Sequence, residues 1–499
     1  MSMSRAEAKK MRLKILEKIL FLIFLIQEKA MKNKGANTLE AITLEDNQHP
    51  NKYYTFVSES KDGGIEDGHI PEVYKSYIES VGSVNKLIKE HNAIIVPKRE
   101  SFEKDMAIEI RNSKIYTYNW VGVISTPTQD ENSRRIEITS RFDTSEKQYF
   151  LLYLLSSVYG VNIFNIDVNS KEESNYIIIL IILFLSKIVE AYGSGLYKEY
   201  NRSKYNDYNF KGSIDIDRHI KLNTPFMGKT AYKIREYSYD NEILYLMRQV
   251  LDYIICNHFE VWEACLNNEL MLNEIVNVIE NATPSYRMNI NYADTISCRR
   301  EITHPMYRDY EEARKLAIMI LSESGQNIFD NSKELSFSLL IDISWLWEEF
   351  VAEKLLKECN YKHLLTDGSA GTLEWSNREY WYPDFIEEGD EHKRRNIFDA
   401  KYKFWDWNKN DDIHQLLSYL LISGGNNCGI IYPDNKSKTW SYQEIHSYEK
   451  FYGNEHPKIY KMPMYIYDGK DMGYLEYCRV MEESIKKWKE NFQNLLFEI

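Results

Sequence analysis

Two aspartates and a lysine in this 499-residue chain have side-chain types and a spacing that could support catalysis. Asp399 and Lys401 lie within the apolar segment Ile397–Lys403, and Asp384 lies 15 residues before Asp399. In an extended strand successive side chains point to opposite faces of the sheet. Asp399 and Lys401 therefore lie on one face, and the side chain of Ala400 lies on the other. The pattern therefore predicts a carboxylate and an ammonium group side by side on a sheet.

The second aspartate is expected to arrive from a neighbouring strand. Trp381–Phe385 is predicted to be one strand that contains Asp384, and the charged segment Glu387–Arg395 follows it. Gly389-Asp390 within that segment is a turn signal, which predicts a hairpin. The hairpin would place Asp384 and Asp399 in one corner of the sheet.

Two carboxylates in one corner repel each other unless a cation lies between them, and hard oxygen ligands of this kind suit Mg²⁺, with Mn²⁺ as a substitute. A lysine on the same face could orient an attacking water or stabilise a negatively charged transition state. This is the PD-(D/E)xK signature of metal-dependent nucleases. The alternative is a surface strand that ends in solvated charges, because similar triplets also occur outside any apolar strand, at Glu7-Ala8-Lys9 and Asp468-Gly469-Lys470.

A helix is expected on each side of these strands. Downstream, Asp411–Leu421 begins with acidic capping residues, and Gln415 and Tyr419 share one face because they lie four residues apart. The alternative for these two residues is that they only cap the core.

The upstream helix is predicted to run through Phe337–Lys357 and to carry Glu348 and Glu349. Consecutive helical residues point about 100° apart, so at most one of these glutamates can face the site. Helical periodicity does not decide which one.

These segments together resemble a known family. Residues 336–432 resemble the nuclease domain of the McrC-type subunit of McrBC modified-cytosine restriction systems, including their LlaJI-like relatives. The segments that carry this resemblance are Leu346–Val351, Pro383–Phe385, Asp399–Lys403 and Gln415–Tyr419. A looser resemblance covers Gly195–Tyr200, Phe210–Asp215 and Tyr237–Asn241.

The resemblance implies an α+β fold, with a mixed helical and β N-terminal region followed by a C-terminal restriction-endonuclease-like α/β/α domain. It also assigns the helix glutamate to Glu348. In the resulting hypothesis Asp384, Asp399 and the Ala400 carbonyl bind Mg²⁺, and Glu348 joins them directly or through water. Lys401 would orient or activate the attacking water, and Gln415 and Tyr419 would position the scissile phosphate or the lysine.

The amino-acid composition limits the class of protein to which the chain can belong. Hydrophobic residues make up 43% of the chain and aromatic residues 14%, which is typical of a globular protein. The six cysteines occur singly with no C-x-x-C pair, a pattern that predicts a reducing, cytoplasmic setting. Lys9 to Lys14 before the apolar run Ile19–Ile26 is like the start of a signal peptide, but no small-residue cleavage site follows. That run and Tyr176–Leu185 are both shorter than a membrane span, so no membrane association is expected.

The net charge of −13 is unusual for a protein that binds DNA through its own electrostatic field. A basic cluster nevertheless surrounds the candidate site, made of Lys393, Arg394, Arg395, Lys401, Lys403 and Lys409. No G-x-x-x-x-G-K-[ST] phosphate-binding loop occurs in the sequence, so a nucleotide-driven motor would have to be a separate chain.

Three regions are expected along the chain: residues 1–110 of unassigned role, 111–330 as a partner-binding region, and 331–499 as the nuclease domain. The hypothesis is an endonuclease subunit that acts on double-stranded DNA with an McrB-like AAA+ GTPase motor. The alternatives are a stand-alone sequence-specific endonuclease and a regulatory scaffold that stimulates a motor without cutting.

Secondary structure outside the site is predicted from periodicity and turn signals. The expected helices are Glu72–Lys89, Gln148–Tyr159, Tyr176–Tyr192, Met247–Phe259 and Arg308–Leu321, and the expected paired strands are Asn119–Ile124 and Arg135–Thr139.

Overall fold

The computed structural model describes residues 40–46, 55–57, 72–91, 93–97, 101–111, 114–127, 133–143, 148–161, 175–266, 271–323, 338–363, 373–376, 379–387, 396–404, 410–423, 425, 427–445 and 457–497. The apolar run Ile19–Ile26, the turn signal Gly389-Asp390 and four members of the basic cluster lie outside the described residues: Lys393, Arg394, Arg395 and Lys409.

The described residues form two compact units. Residues 176–323 make a mainly helical unit, called the helical unit below. Residues 40–161 and 338–497 make the second unit, called the two-sheet unit after its two six-stranded sheets. The division differs from the three consecutive regions expected from the sequence, because an N-terminal and a C-terminal segment share one unit.

The first sheet of the two-sheet unit combines strands from both segments. Its strand order is β2-β1-β7-β6-β11-β3. The strands are β1 (Glu40–Glu45), β2 (Thr55–Val57), β3 (Ile94–Val96), β6 (Trp120–Pro127), β7 (Ser133–Thr139) and β11 (Leu339–Asp342). The predicted pairing of Asn119–Ile124 with Arg135–Thr139 is confirmed, because β6 and β7 are antiparallel neighbours.

The long helix predicted over Phe337–Lys357 is wrong at its beginning. Residues Leu339–Asp342 form β11, which lies between β3 and β6 and is buried along its whole length. Helix α11 (Ile343–Phe350) follows and continues as a π-helical turn, Val351–Leu355. A short apolar run buried on both sides has no periodicity that separates a strand from a helix, and this ambiguity caused the error.

The helix predicted over Glu72–Lys89 is two helices, α1 (Glu72–Val81) and α2 (Val84–His91). The break falls at Gly82, where a Cβ atom would lie 2.4 Å from the carbonyl oxygen of Ile108. Ile108 belongs to the hairpin of β4 (Ile108–Arg111) and β5 (Lys114–Thr117). The close approach of two backbones therefore requires glycine and ends the first helix.

The second sheet of the two-sheet unit has the order β12-β15-β16-β17-β19-β18. Its strands are β12 (Tyr361–His363), β15 (Phe385–Glu387), β16 (Ile397–Ala400), β17 (Asn427–Asp434), β18 (Ser441–Glu444) and β19 (Lys458–Tyr465), and a separate pair is β13 (Leu373–Ser376) with β14 (Glu379–Trp381). Strands β15 and β16 are antiparallel, whereas β16, β17 and β19 are parallel. Parallel neighbours require crossover connections, and helix α12 (Asn410–Ser423) lies between β16 and β17 in the chain.

Helices cover both faces of this sheet. On one face, Leu416 and Leu420 of α12 pack in a cluster with Ile397 and Ile430. On the other face, Phe492 of helix α13 (Tyr474–Phe497) packs against Phe398, with ring centroids 5.4 Å apart. Helix α3 (Tyr149–Val158) confirms the helix predicted at Gln148–Tyr159. The predicted α+β fold class is confirmed.

The helical unit contains the remaining predicted helices as α4 (Asn175–Gly193), α6 (Glu242–Asn257) and α10 (Arg308–Glu323). It also contains helices that the sequence did not predict, α5 (Ile216–Leu222), α7 (Phe259–Leu266), α8 (Met271–Ala282) and α9 (Ile296–Arg299), and 3₁₀ turns at Tyr292–Asp294 and Pro305–Tyr307. Helix α6 begins earlier than predicted because the side chain of Asn241 accepts a hydrogen bond from the N–H of Leu244. Among the described residues only α4, over Tyr176–Gly193, is long and apolar enough to cross a membrane, and 67% of that stretch is buried in the protein.

A three-stranded antiparallel sheet belongs to the helical unit. It is formed by β8 (Glu199–Asp207), β10 (Thr230–Ser238) and β9 (Ser213–Ile214), with α5 following β9. Strands β8 and β10 pair along their whole length, so that Glu199 and Ser238 are direct neighbours. Residues 199–238 are called the β8–β10 arm below.

Candidate active site

The two aspartates meet because β15 and β16 are antiparallel neighbours. Phe385 pairs with Phe398, which places the preceding Asp384 beside the residues that follow Phe398. The Asp384 Oδ2 atom accepts a hydrogen bond of 2.7 Å from the N–H of Ala400. The predicted corner therefore forms, and a backbone hydrogen bond fixes it.

The strand predicted at Trp381–Phe385 is two short strands instead of one. Strand β14 ends at Trp381 and β15 begins at Phe385, so Asp384 lies in the break between them. Pro383 has no N–H to donate to a strand partner, which accounts for the interruption. The position outside the strand leaves the Asp384 side chain available to the Ala400 N–H.

Asp399 and Lys401 share a face of the sheet, as the alternation predicted. Lys401 Nζ lies 2.5 Å from Asp399 Oδ2. The Asp399 side chain is 2% exposed and the Lys401 side chain 24%. The second oxygen, Asp399 Oδ1, is buried and has no hydrogen-bond partner among the described residues. A buried carboxylate oxygen without a partner is costly, and a cation would remove that cost.

The electrostatics of the cluster follow from burial and crowding. Burial, together with the nearby charges of Asp399 and Glu348, holds the pKa of Asp384 well above its usual range. Burial lowers the pKa of Lys401, but the carboxylates of Asp399 and Asp384 outweigh burial and raise it overall. Lys401 therefore stays positively charged, and the acidic corner carries an excess of negative charge when both aspartates are ionised.

The two glutamates of α11 face different surroundings. Glu348 is close enough to Asp384 to raise its pKa. Glu349 instead lines a separate cavity of about 190 Å³ with Glu353, His363 and Phe385. The structure thus places Glu348, the glutamate that the family resemblance named, on the side of the aspartates.

Gln415 and Tyr419 form a small hydrogen-bonded pair beside the aspartates. Gln415 Nε2 donates to Tyr419 Oη at 2.7 Å, and the Tyr419 hydroxyl donates to the carbonyl oxygen of Tyr382 at 3.2 Å. Burial and the charge of Asp399 raise the pKa of Tyr419 to about 12, so its hydroxyl stays protonated. The pair fixes the backbone two residues before Asp384. No local sequence pattern predicts this role, because the contact joins distant segments of the chain.

The two described members of the basic cluster are both engaged in ion pairs. Lys401 pairs with Asp399, and Lys403 pairs with Asp412 at the beginning of α12. From the sequence, Asp412 is predicted only to cap this helix. Within the described part of the cluster, positive charge is largely neutralised.

The donor set fits one hard divalent cation. Asp384 and Asp399 present carboxylates in one corner, and Asp399 Oδ1 has no hydrogen-bond partner in the described part of the chain. Among the described residues no three His, Cys, Asp or Glu side chains converge in a metal-binding arrangement. Two carboxylates, with a backbone carbonyl in the role predicted for Ala400, are hard oxygen ligands of the kind that suits Mg²⁺.

A family profile described as "McrBC 5-methylcytosine restriction system component" matches residues 115–433. The chain belongs to this family. The family predicted from the motif residues is thereby confirmed, and the matched range includes Glu348, Asp384, Asp399, Lys401 and the Gln415–Tyr419 pair. A search of the curated proteins found no match.

Two solved structures of McrBC complexes resemble this chain. One is a half-complex from the tetradecameric assembly of Thermococcus gammatolerans McrB AAA+ hexamers with bound McrC, with 15% identity, a TM-score of 0.45, and coverage of 89% of this chain and 100% of that one. The other is the cryo-EM structure of the T. gammatolerans McrBC complex, with 16% identity, a TM-score of 0.30, and coverage of 65% of this chain and 90% of that one.

The McrBC match leaves out parts of the two-sheet unit at both ends. Strands β1 to β4 lie before residue 115, and β18, β19 and α13 lie after residue 433. Yet β1 pairs with β7, β3 with β11 and β19 with β17, so these elements are built into the same two sheets.

Proposed function

We propose that this McrBC family member is the McrC-type subunit of a restriction system, a cytoplasmic Mg²⁺-dependent endonuclease that hydrolyses double-stranded DNA in phage defence. The observation that carries the proposal is the cluster of Asp384, Asp399 and Lys401, in which Asp399 Oδ1 is buried and finds no hydrogen-bond partner within the described ranges. Such an arrangement is costly for a purely structural corner, because it concentrates negative charge and leaves a buried acceptor unused.

The proposed roles follow from position. Asp384 and Asp399, with the Ala400 carbonyl, hold Mg²⁺ or Mn²⁺, and Glu348 contributes from α11. When bound, the metal polarises a phosphoryl oxygen and lowers the pKa of water. Lys401, whose ammonium is 2.5 Å from Asp399, presents a fixed positive charge to the attacking water or to the developing negative charge on phosphate.

Gln415 and Tyr419 act on the geometry of the acidic corner. The Tyr419 hydroxyl holds the Tyr382 carbonyl, and Gln415 orients that hydroxyl. The segment from Tyr382 to Asp384 is thereby fixed relative to α12. Precise placement matters because a displacement of about 1 Å costs a reaction of this kind about 100-fold in rate.

The proposed partner is a separate AAA+ GTPase motor of the McrB type. The sequence has no nucleotide-binding loop, its net charge is −13, and the described lysines at the site are neutralised. Loading onto DNA therefore needs another polypeptide.

The β8–β10 arm offers a surface for such a partner. Helix α5 has no buried residue, and the arm exposes many large apolar side chains: Tyr200, Tyr208, Phe210, Ile214, Ile216, Ile220, Leu222, Phe226, Met227 and Tyr237. Exposed apolar surface on this scale is typical of a protein–protein contact.

One assay separates this proposal from the alternatives. The purified chain is incubated with double-stranded DNA and Mg²⁺, with and without the candidate motor and its nucleotide. Cleavage only with the motor supports the proposal, whereas cleavage by the chain alone indicates a stand-alone endonuclease. Stimulated nucleotide hydrolysis without any cleavage indicates a regulatory scaffold and contradicts the nuclease assignment.

A further inference from the structure

The turn that follows the catalytic strand β16 is anchored by residues at the end of the first sheet's strand β7. Tyr402, two residues beyond Ala400, is 5% exposed, and its Oη atom shares a hydrogen bond of 2.6 Å with Ser140 Oγ. Ser140 follows β7 directly, and its hydroxyl also accepts the N–H of Phe142 at 3.1 Å. The ring of Phe142 packs edge-on against Tyr402, with centroids 5.1 Å apart. The anchor therefore fixes both the hydroxyl and the ring of Tyr402.

A buried ion pair supports the same ring. Arg141 Nη2 and Nε lie 2.5 and 2.9 Å from Asp46 Oδ2, and the Arg141 N–H donates to Asp46 Oδ1 at 2.6 Å. The guanidinium carbon lies 5.1 Å from the centroid of the Tyr402 ring, and Arg141 also donates to Asn119 Oδ1 at 3.0 Å. The net stability from a buried ion pair is small, so the effect of this pair on the site lies in its geometry, which holds the guanidinium over the ring.

Lys401 depends on such an anchor because the strand ends just before it. Strand β16 stops at Ala400, and beyond it the Lys401 N–H donates to the Ile431 carbonyl while the Lys403 N–H donates to the Lys401 carbonyl. The bond between Lys403 and Lys401 spans two residues and closes a γ-turn centred on Tyr402, so the chain bends there instead of remaining extended. The anchored Tyr402 side chain therefore holds the turn directly after Lys401 and limits the directions that the Lys401 side chain can take.

We propose that Tyr402, Ser140 and the Asp46–Arg141 pair are positioning residues for Lys401, and that strands β1 and β7, with the residues that directly follow them, serve the active site as its scaffold. The inference rests on the proposed function for its catalytic consequence, and on contacts within the two-sheet unit for its geometry. Asp46 lies within residues 1–110, for which the sequence predicts no role, so the proposal gives this part of the chain a function in the reaction through Asp46, without requiring it to contact DNA.

The variant Tyr402→Phe tests the proposal because it removes one hydroxyl and keeps the ring. Tyr153→Phe is the matched control, since Tyr153 is a buried tyrosine of the same unit whose hydroxyl donates to Glu482 at 2.9 Å. With the motor present, Tyr402→Phe should lower the single-turnover cleavage rate about tenfold or more and leave DNA affinity unchanged. Tyr153→Phe should leave both unchanged.

Amide hydrogen exchange supplies a readout that does not depend on cleavage. Exchange at Lys401 and Lys403 should become faster in Tyr402→Phe and remain as in the wild type in Tyr153→Phe. Arg141→Lys keeps the charge beside Asp46 but loses the planar guanidinium over the Tyr402 ring. It should therefore lower the cleavage rate and speed amide exchange at Lys401, each by less than Tyr402→Phe does. If Tyr402→Phe does not fold, Arg141→Lys provides the same comparison.

The outcomes separate the two proposals. Unchanged exchange at Lys401, or a wild-type cleavage rate in a Tyr402→Phe protein whose affinity is also unchanged, overturns the positioning role. Faster exchange in a protein whose wild type cuts no DNA supports the positioning role and contradicts the proposed nuclease function.

Discussion

At the scale of single residues, the site depends on where one positive charge is fixed. Lys401 is held 2.5 Å from Asp399 and carries its charge at any pH at which the protein functions, because the neighbouring carboxylates raise its pKa. The charge is thus in place before substrate arrives, which is the condition for electrostatic stabilisation of a transition state.

Replacing Lys401 should therefore affect the chemical step more than binding. We expect Lys401→Ala to lower the single-turnover cleavage rate by about 100-fold or more while DNA affinity changes little. Lys403→Ala is the matched comparison, since Lys403 lies two residues along and pairs with Asp412 instead. Because Asp412 neutralises its charge, Lys403→Ala should leave both the cleavage rate and the DNA affinity close to those of the wild type. The assigned role of Lys401 is wrong if its variant loses affinity and keeps its rate.

A second residue-scale prediction concerns stability and pH. Burial is the largest influence on Asp143 and raises its pKa to about 7, despite hydrogen bonds from the N–H groups of Phe150 and Leu151. Because the pKa is higher in the folded than in the unfolded state, the folded state binds more protons between about pH 4 and pH 7. The contribution of Asp143 to the free energy of unfolding should therefore fall as pH rises through this window.

Urea unfolding of the wild type and of Asp143→Asn at pH 4.5 and pH 7.5 measures that contribution. The variant should gain stability relative to the wild type as pH rises, by up to about 4 kcal/mol over the window. A difference between the two proteins that does not change with pH would contradict the raised pKa.

At the scale of elements, strand ends and helix starts place the functional groups. Helix α11 carries Glu348, and its first turn is fixed by Asp342, whose side chain accepts the N–H groups of Ser344 and Trp345 at 3.0 and 3.3 Å. Asp342 is also the last residue of β11, so a single side chain ties the helix to the first sheet.

Loss of this cap should destabilise the protein and disturb the site together. Asp342→Ala is expected to cost about 1–2 kcal/mol of unfolding free energy and to lower the cleavage rate at temperatures where the variant is fully folded. Asn241→Ala removes the comparable cap of α6 in the helical unit and should cost similar stability without lowering the rate of cleavage chemistry. Equal effects of the two variants on that rate would argue against a role for α11 in the site.

The sequence predicted those parts of the site that arise from local periodicity. The alternation in β16 indicated that Asp399 and Lys401 share a face, and the four-residue spacing in α12 indicated that Gln415 and Tyr419 do. The sequence could not decide whether Glu348 or Glu349 faces the site, because the orientation of both depends on how α11 packs. The strand Leu339–Asp342 was also missed, because burial on both sides removes the period that marks a strand.

Contacts between distant segments were beyond any local pattern. The hydrogen bond between Ser140 and Tyr402 joins residues 262 positions apart, and the Tyr419 hydroxyl reaches a backbone carbonyl 37 positions away. Both depend on tertiary packing alone, so neither residue pair carries a signal in the sequence.

At the scale of the whole molecule, the N-terminal and C-terminal segments form one unit. Strand β11 lies between β3 and β6, so a C-terminal fragment beginning near residue 331 would lack both neighbours of that strand. The β8–β10 arm is different, because Glu199 and Ser238 are paired neighbours and a short linker can join the residues that flank them.

Replacing residues 200–237 by a short Gly-Ser linker should therefore separate the two proposed activities. We expect the variant to keep its fold, to lose co-elution with the motor, and to lose stimulation of nucleotide hydrolysis. Circular dichroism and size-exclusion chromatography with the motor measure these properties. An arm-deleted protein that still binds and stimulates the motor would place the docking surface elsewhere.

The measurement that bears most directly on the central proposal is Mg²⁺-dependent cleavage by Asp399→Asn in the presence of the motor. The matched control is Asp434→Asn, since Asp434 lies at the end of β17 and accepts one backbone N–H, from Lys436 at 2.8 Å. The proposal predicts that Asp399→Asn abolishes cleavage and still stimulates nucleotide hydrolysis by the motor, while Asp434→Asn cuts normally. Wild-type cleavage by a pure Asp399→Asn protein would contradict it.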